Sequence, residues 1–334
     1  MANYLVTGAA GFIGARVTAM LIEQGHTVVG VDDLNAAYDV RMKAYRLRHL
    51  QTLPGFTFHK LDISDRALLE PQSFGYAPDK SAVGNQQFEA VINLAARAGV
   101  RASVENPWVF YETNVTGVLN LLELCRRNGI KKFLLASTSS IYGAKPPLPT
   151  PEDAPTDRPL QAYAASKKAA EVLGHTYHHL YGIDVTVLRY FTVYGPAGRP
   201  DLAMFRFTQW ISEGRTVRVN GDGEQSRGFT YLDDIARGTI AGLKPLGYEI
   251  INLGGHEVIT INDLIKLLEE SIGKKAQVEY GPLHPADMLT NWADVSKAGR
   301  LLGWQPQTGL RQGVQRLVEW YNAERAWAGE VLTP

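Results

Sequence analysis

Asn3-Tyr4-Leu5-Val6-Thr7-Gly8-Ala9-Ala10-Gly11-Phe12-Ile13-Gly14 reads as a short apolar strand that runs into a glycine-rich turn and then a helix. The amphipathic stretch opened here continues to Gly25. Each glycine has its own task. Gly8 permits the tight turn, Gly11 lets backbone N–H groups approach a pyrophosphate at the helix N-terminus, and Gly14 lets the helix lie close to its strand. Phe12 and Ile13 stand at the helix start and join the glycines as expected dinucleotide contacts. A second strand, Thr27 to Val31, ends in Asp32. An acid at that point suits the 2′-hydroxyl of an adenine ribose and repels a 2′-phosphate, so NAD is expected rather than NADP. Arg41, Lys43 and Arg46, a little downstream, are the residues that speak for NADP.

The following segments repeat the pattern. Gly55 to Leu61 leads to Asp62-Ile63, where a carboxylate can meet the adenine amino group. Glu89 to Ala95 and Lys132 to Ser137 are almost wholly apolar runs, as expected of strands buried on both faces. Helical stretches follow over Ser64–Phe74, Pro107–Asn128 and Leu160–Tyr181. Alternating strands and helices predict an α/β fold with a doubly wound parallel sheet. Ligands of such sheets bind beyond the strand C-termini, where Asp62, Ala95, Thr138 and Arg189 all stand. One cleft is expected to collect them.

A chemical pair lies at the far side of that cleft. Tyr163-Ala164-Ala165-Ser166-Lys167 puts a phenol and an ammonium one helical turn apart on one face, and Thr138 ends the strand 25 positions upstream. A free phenol has a pKa of about 10. A neighbouring Lys⁺ and a cationic nicotinamide both favour the phenolate, which makes the tyrosine a proton acceptor.

Bulk properties exclude other classes. Lys+Arg and Asp+Glu are equal at 34 each over 334 residues, so there is no general field for nucleic acid or an anionic membrane. The single cysteine, Cys125, sits in a leucine-rich helix and reads as core, which rules out disulfides and a cysteine metal site. His175, His178 and His179 have helical spacing but no evident third partner, so no metal is expected. The first strand begins almost at Met1 and no apolar run reaches membrane length, so a cytoplasmic protein is expected. Gly75–Gln87 reads as a loop that enters the next strand from the side away from the cleft, and no catalytic role is expected of it.

Over nearly its full length the chain resembles the extended short-chain dehydrogenase/reductase family, and within it the nucleotide-sugar 4-epimerases. The resemblance rests on the glycine turn, Ala95-Ala96, Asn114, Tyr163 with Lys167, and Ser139-Ser140-Ile141-Tyr142-Gly143. It continues with Arg189-Tyr190-Phe191-Thr192-Val193-Tyr194-Gly195-Pro196, Arg227-Gly228-Phe229-Thr230-Tyr231-Leu232-Asp233-Asp234, and Ala293-Asp294-Val295-Ser296-Lys297-Ala298. Asp33-Leu34-Asn35, Tyr38-Asp39, Ala98-Gly99-Val100-Arg101 and Gly198-Arg199-Pro200-Asp201 look like the UDP-glucuronate 4-epimerases in particular. The resemblance implies a Rossmann NAD-binding domain over residues 1–187 and 229–254. It implies a smaller α/β nucleotide-sugar domain over 188–228 and 255–334. Further cofactor contacts are implied from Asn35, Ile63, Leu94, Ala95, Ala96, Asn114, Lys167 and Tyr190. Substrate contacts are implied from Arg199, from Val217 beside the uracil, from Arg227 on the diphosphate, and from Asp287. A homodimer is implied, pairing helices near 107–128 and 160–181. Two departures fall on the nucleotide side: Gly228 stands where the family usually has Asp, and His284 and Ala286 precede Asp287 where Gln or Arg and Gly are usual.

The implied chemistry starts with Tyr163 taking the proton of the sugar 4-hydroxyl through Thr138 while NAD⁺ takes the C4 hydride, giving a 4-keto sugar. A 4,6-dehydratase needs a carboxylate pair after Thr138 to act as acid and base. This chain has Ser139 and Ser140. For glucuronate the ketone is a β-keto acid that loses CO₂ when the carboxylate bond aligns with the carbonyl. Thr138, Ser139, Ser140 and Thr192 are implied as hydroxyl donors that prevent this alignment. The expected reaction is C4 epimerisation of UDP-glucuronate to UDP-galacturonate. The alternatives are a UDP-glucose/UDP-galactose 4-epimerase and a UDP-glucuronate decarboxylase.

Overall fold

The structure, a computed structural model, describes residues 1–66, 83, 86–255, 257–283 and 288–333. The strands β1 (Asn3–Thr7), β2 (Thr27–Asp32), β3 (Phe56–Lys60), β4 (Ala90–Asn93), β5 (Lys132–Thr138) and β6 (Asp184–Tyr190) come first. After them β7 (Thr192–Tyr194), β8 (Val217–Asn220) and β9 (Ser226–Tyr231) leave the main sheet, and β10 (Tyr248–Leu253) returns to it. The main sheet runs β10-β6-β5-β4-β1-β2-β3, and every pairing in it is parallel. β1 lies between β2 and β4, so the chain reverses its direction of travel there, and a crevice opens beyond the strand ends.

Strand alternation supplies two buried faces. Tyr4, Val6 and Val28 pack with α1 (Phe12–Glu23) in one core. Leu5, Val29 and Val31 face the opposite way, toward a second core that continues into later helices. The helix expected over Pro107–Asn128 runs without a break from Trp108 to Asn128, with a five-residue π turn, Glu112–Thr116, set between the regular stretches Trp108–Tyr111 and Gly117–Asn128. The wide turn seats the buried side chain of Asn114, which bonds Arg97 backbone and Ser166 instead of solvent. Cys125 lies in this second core, where burial pushes its thiol well above the ordinary value. The helix that carries Tyr163 and Lys167 spans Ala162–Tyr181 and starts two residues later than expected, because Gln161 is extended.

The second sheet is centred on β9, which pairs with β7 and with β11 (Val258–Thr260), while β8 pairs with β12 (Val278–Gly281). A further two-residue strand, β13 (Thr290–Asn291), runs along the start of β9. Helices Ala203–Ser212, Ile261–Ile272 and Leu310–Ala328 close the core over these strands. The expected domain cuts after residues 187 and 228 fall inside β6 and β9. β6 stays paired with β5 as far as Tyr190, and β9 belongs wholly to the second sheet. The expected helix beyond Arg66, most of the loop 75–87, and Asp287 with His284 and Ala286 lie outside the described residues.

Arg189 was expected at the cleft, and the structure corrects this. Its side chain is 2% exposed and lies beneath the helix Ala162–Tyr181, where Nε and Nη2 meet the carboxylate of Glu171 at 2.9 and 2.8 Å. Burial lowers the affinity of the guanidinium for its proton, but the Glu171 carboxylate overrides this and raises it. Ser137 Oγ donates to the same carboxylate at 2.6 Å, and Arg189 Nη1 reaches Tyr142 Oη at 3.0 Å and the Glu152 carbonyl at 2.9 Å. Leaving one member of a buried pair alone is costly. Glu171→Ala should lower unfolding stability by about 3–5 kcal/mol, and Glu171→Gln with Arg189→Met should recover part of it. Urea titration measures both, and wild-type stability in the single variant would contradict this role.

Candidate active site

The cofactor cradle is dictated by lack of room. Gly8 follows β1 with φ +69°, and a Cβ there would lie 2.7 Å from the amide nitrogen of Ala95. A Cβ at Gly14 would lie 2.1 Å from the Gly8 carbonyl oxygen, so Gly14 packs the helix on the turn itself rather than on the strand. Gly11 N–H donates to the same carbonyl at 2.9 Å, and Gly11 precedes α1 as its N-cap. This leaves the first-turn amides of Phe12 and Ile13 at the helix end, while the Phe12 ring is buried in the core. Leu94, Ala95 and Ala96 follow β4 across the crevice and are half-buried. These residues fit a dinucleotide pyrophosphate.

Asp32 ends β2 and is 5% exposed. Its Oδ1 accepts from Leu34 N–H at 2.8 Å and from Lys43 Nζ at 2.9 Å. The three basic residues that spoke for NADP are thereby accounted for. Lys43 is held by Asp32 and Asp33, and Arg41 by Asp39. Arg46 donates to the carbonyls of Ala197, Gly198 and Ala10. Burial pushes the Asp33 carboxyl up, but hydrogen bonds from Asn35 and the charges of Lys43 and Arg97 hold it below its ordinary value. Asp62 is exposed at the end of the next strand and accepts from Ser64. The Ile63 side chain turns into the core, and its carbonyl accepts from Asn120.

A line of hydrogen bonds that the sequence did not reveal joins this end to the helix of Tyr163 and Lys167. Arg97 Nη1 donates to Asn35 Oδ1 at 3.0 Å, and the Arg97 backbone is held at both N–H and carbonyl by Asn114. Asn114 Nδ2 also donates to Ser166 Oγ at 2.9 Å, and Ser166 donates to the Tyr163 carbonyl at 2.8 Å. The Asn114 side chain is thus committed within the protein.

Tyr163 is half-buried, with its ring edge-on to Phe110. Burial raises the phenol above its ordinary value, against a hydrogen bond with Thr138 and the positive charge of Arg199. Lys167, one helical turn on, donates from Nζ to the Ala136 carbonyl at 2.9 Å, which takes one of its three N–H donors. Burial holds the lysine down to about 8, against the attraction of Glu171. Thr138 Oγ1 donates to Ser140 Oγ and accepts from Ser140 N–H, both at 3.2 Å, and Ser139 Oγ accepts from Asn291 Nδ2 at 2.8 Å. Tyr163, Thr138, Ser139 and Ser140 therefore share one end of β5 and the start of its helix.

Segments outside the main sheet bring the remaining residues by different routes. Thr192 opens β7, half-buried. Arg199 is paired with Asp201 at 2.5 Å and donates to the Ala98 carbonyl at 3.2 Å, so it spans the crevice to the loop after β4. Arg101 of that loop reaches back to the side-chain oxygen of Asn220 on β8. Arg227 donates to the carbonyls of Ser226, Leu289 and Met288. Val217 is fully buried in the second core, and the Tyr190 hydroxyl lies 2.8 Å from Thr239 in the first. For these two, only backbone is left to meet a ligand. Gly228 has a local cause: a Cβ there would lie 2.8 Å from both the Gly255 carbonyl oxygen and Trp292 Cβ. Among the described residues no group of three His, Cys, Asp or Glu could hold a metal, and no helix is long and apolar enough to cross a membrane.

Comparison with known proteins agrees with this geometry. The family described as "NAD dependent epimerase/dehydratase family" matches residues 4–254. A UDP-glucuronate 4-epimerase of Thermodesulfobacterium geofontis is 55% identical over 321 residues, covering 96% of each chain. The crystal structure of a UDP-glucuronic acid 4-epimerase from Bacillus cereus, in complex with UDP-glucuronic acid and NAD, superposes with a TM-score of 0.87. That protein is 34% identical, with 96% of this chain and 99% of the other covered. A UDP-glucose 4-epimerase from Thermotoga maritima with UDP-glucose also gives a TM-score of 0.87, at 33% identity and coverage of 97% and 99%.

The buried lysine gives the site a pH signature. A lowered lysine pKa means that Lys167 is protonated below about 8 and loses its charge and one donor above it. Turnover should therefore fall as pH rises through about 8, read as kcat/KM against pH. A profile that stays flat well beyond this point would contradict a role for the ammonium.

Proposed function

Because this chain belongs to the NAD-dependent epimerase/dehydratase family, we propose that it interconverts UDP-glucuronate and UDP-galacturonate by inversion at C4. It is an NAD-dependent isomerase. The observation that carries the reading is the run Thr138-Ser139-Ser140 at the end of β5, which sets neutral hydroxyls, and no carboxylate, beside the Tyr163 phenol. Hydroxyls cannot act as the acid and base of a dehydratase near neutral pH, but they can grip a carboxylate.

The glycine turn and Asp32 would hold NAD, which would supply a hydride acceptor and donor for C4 with no net redox change. Tyr163 receives the proton of the 4-hydroxyl and gives it back after the sugar turns. Thr138, bonded to the phenol, lowers the cost of carrying negative charge there. Lys167 is held by the Ala136 carbonyl and keeps further N–H donors for the ribose. Ser139, Ser140 and Thr192 hold the C6 carboxylate, and Arg199 closes the crevice above it from Ala98. Arg227 and the backbone of β8 receive the nucleotide diphosphate and uracil.

Tyr163→Phe should abolish conversion of UDP-glucuronate while NAD binding and thermal melting stay as in wild type. Products are read by chromatography, with released CO₂ measured in parallel. UDP-galacturonate without CO₂ is the expected wild-type result. A UDP-pentose with CO₂ would move the assignment to a decarboxylase, and turnover of UDP-glucose alone would move it to the neutral-sugar epimerase.

A homodimer belongs to the same proposal. Trp108, Tyr111, Leu160, Val172, Leu180 and Tyr181 are exposed on or beside the helices expected to pair. Apolar surface of this kind on two neighbouring helices supports a self-complementary bundle. Light scattering should report two chains per particle, and Val172→Glu should shift it to one.

A further inference from the structure

Asn291 was not singled out by any sequence motif. It lies on β13, in register with Arg227 of β9, yet its side chain reaches out of the second sheet to the end of β5. The amide is 6% exposed, and its Nδ2 donates to Ser139 Oγ at 2.8 Å. Its Oδ1 is buried and meets no hydrogen-bond partner among the described residues. An unsatisfied buried carbonyl opposes folding, so the amide is not explained by stability.

Its effect on Ser139 follows from counting protons. A hydroxyl has one proton to give and two lone pairs. An amide N–H can only donate, so Asn291 occupies a lone pair of Ser139 and leaves the serine proton to be given elsewhere. Ser140 is held differently. It exchanges hydrogen bonds with Thr138, and Thr138 is also bonded to Tyr163, so the direction of that chain can reverse as the phenol gains or loses its proton. Ser139 stands outside that chain: among the described residues its hydroxyl meets only the Asn291 donor, so no protein acceptor competes for its proton.

We propose that Asn291 is a positioning residue that keeps the Ser139 hydroxyl a constant donor to the C6 carboxylate of the sugar, and so suppresses loss of CO₂. The inference rests on the function proposed above. In the unwanted reaction the C5–C6 bond breaks, its electron pair enters the C4 carbonyl as an enolate, CO₂ leaves, and C5 takes a proton from solvent. The reaction requires the C5–C6 bond to stand across the carbonyl plane. A carboxylate held by a donor whose direction never reverses cannot rotate freely into that alignment.

The test uses the full chain with NAD and UDP-glucuronate, and compares wild type, Asn291→Ala, Asn291→Asp, Ser139→Ala and the Ser139→Ala/Asn291→Ala pair. Asn291→Ala should raise the KM for UDP-glucuronate about tenfold, the scale of one hydrogen bond to a charged group, and should release CO₂ where wild type releases none. Asn291→Asp, which draws the serine proton inward, should raise the ratio of CO₂ to UDP-galacturonate further. On the Ser139→Ala background the Asn291→Ala change should add nothing to the ratio. A purely structural asparagine would instead lower the melting temperature with the ratio unmoved, or add its effect to that of Ser139→Ala, and either result overturns the inference. Failure of the wild type to convert UDP-glucuronate would overturn the proposed function itself, and is seen in a separate arm.

Discussion

The site is built around a pair of charges taken out of water. Glu171 and Arg189 face each other beneath the helix that carries Tyr163 and Lys167, and both are almost fully buried. Removing two ions from solvent is expensive, so such a pair persists only where every remaining donor and acceptor is met. Here Ser137, Tyr142 and the Glu152 carbonyl complete the shell, and Tyr142 passes the contact to Asn252 at 2.6 Å. The same pair therefore sets the angle of the helix, the end of β5 and the turn that holds Ser139 and Ser140. Precision in the reacting groups comes from ions that never touch the substrate.

A second chain of contacts ties the adenosine end of the crevice to the same helix. It passes from Asn35 through Arg97 and Asn114 to Ser166 and the Tyr163 backbone. The π turn at Glu112–Thr116 makes room for its middle member. Arg199 on Ala98 and Arg101 on Asn220 cross the crevice in opposite directions. The loop after β4 is thus held from both sides.

Much of the fold was legible because the deciding signals are local. A glycine turn after a strand, an acid at the end of the next strand and apolar runs of strand length all act over a few residues. The spacing of Tyr163 and Lys167 on one helix was legible for the same reason, and so was the row of hydroxyls after Thr138. What the residues could not announce are contacts chosen by the third dimension. Arg189 stands at a strand end in the sequence but points under a helix. Tyr190 and Val217 carry the expected backbone position with side chains turned into cores. Lys167 gives one of its three ammonium protons to the Ala136 carbonyl, a contact that helical spacing does not announce. Asn291 meets a serine 152 positions away, a separation over which no periodicity speaks.

Gly228 carries a consequence for any change at its position. A Cβ there would meet the Cβ and Cα of Trp292 and the Gly255 carbonyl oxygen. None of these atoms belongs to the indole, so a smaller side chain at 292 makes no room. An acid at 228 calls instead for two neighbouring stretches of backbone to part.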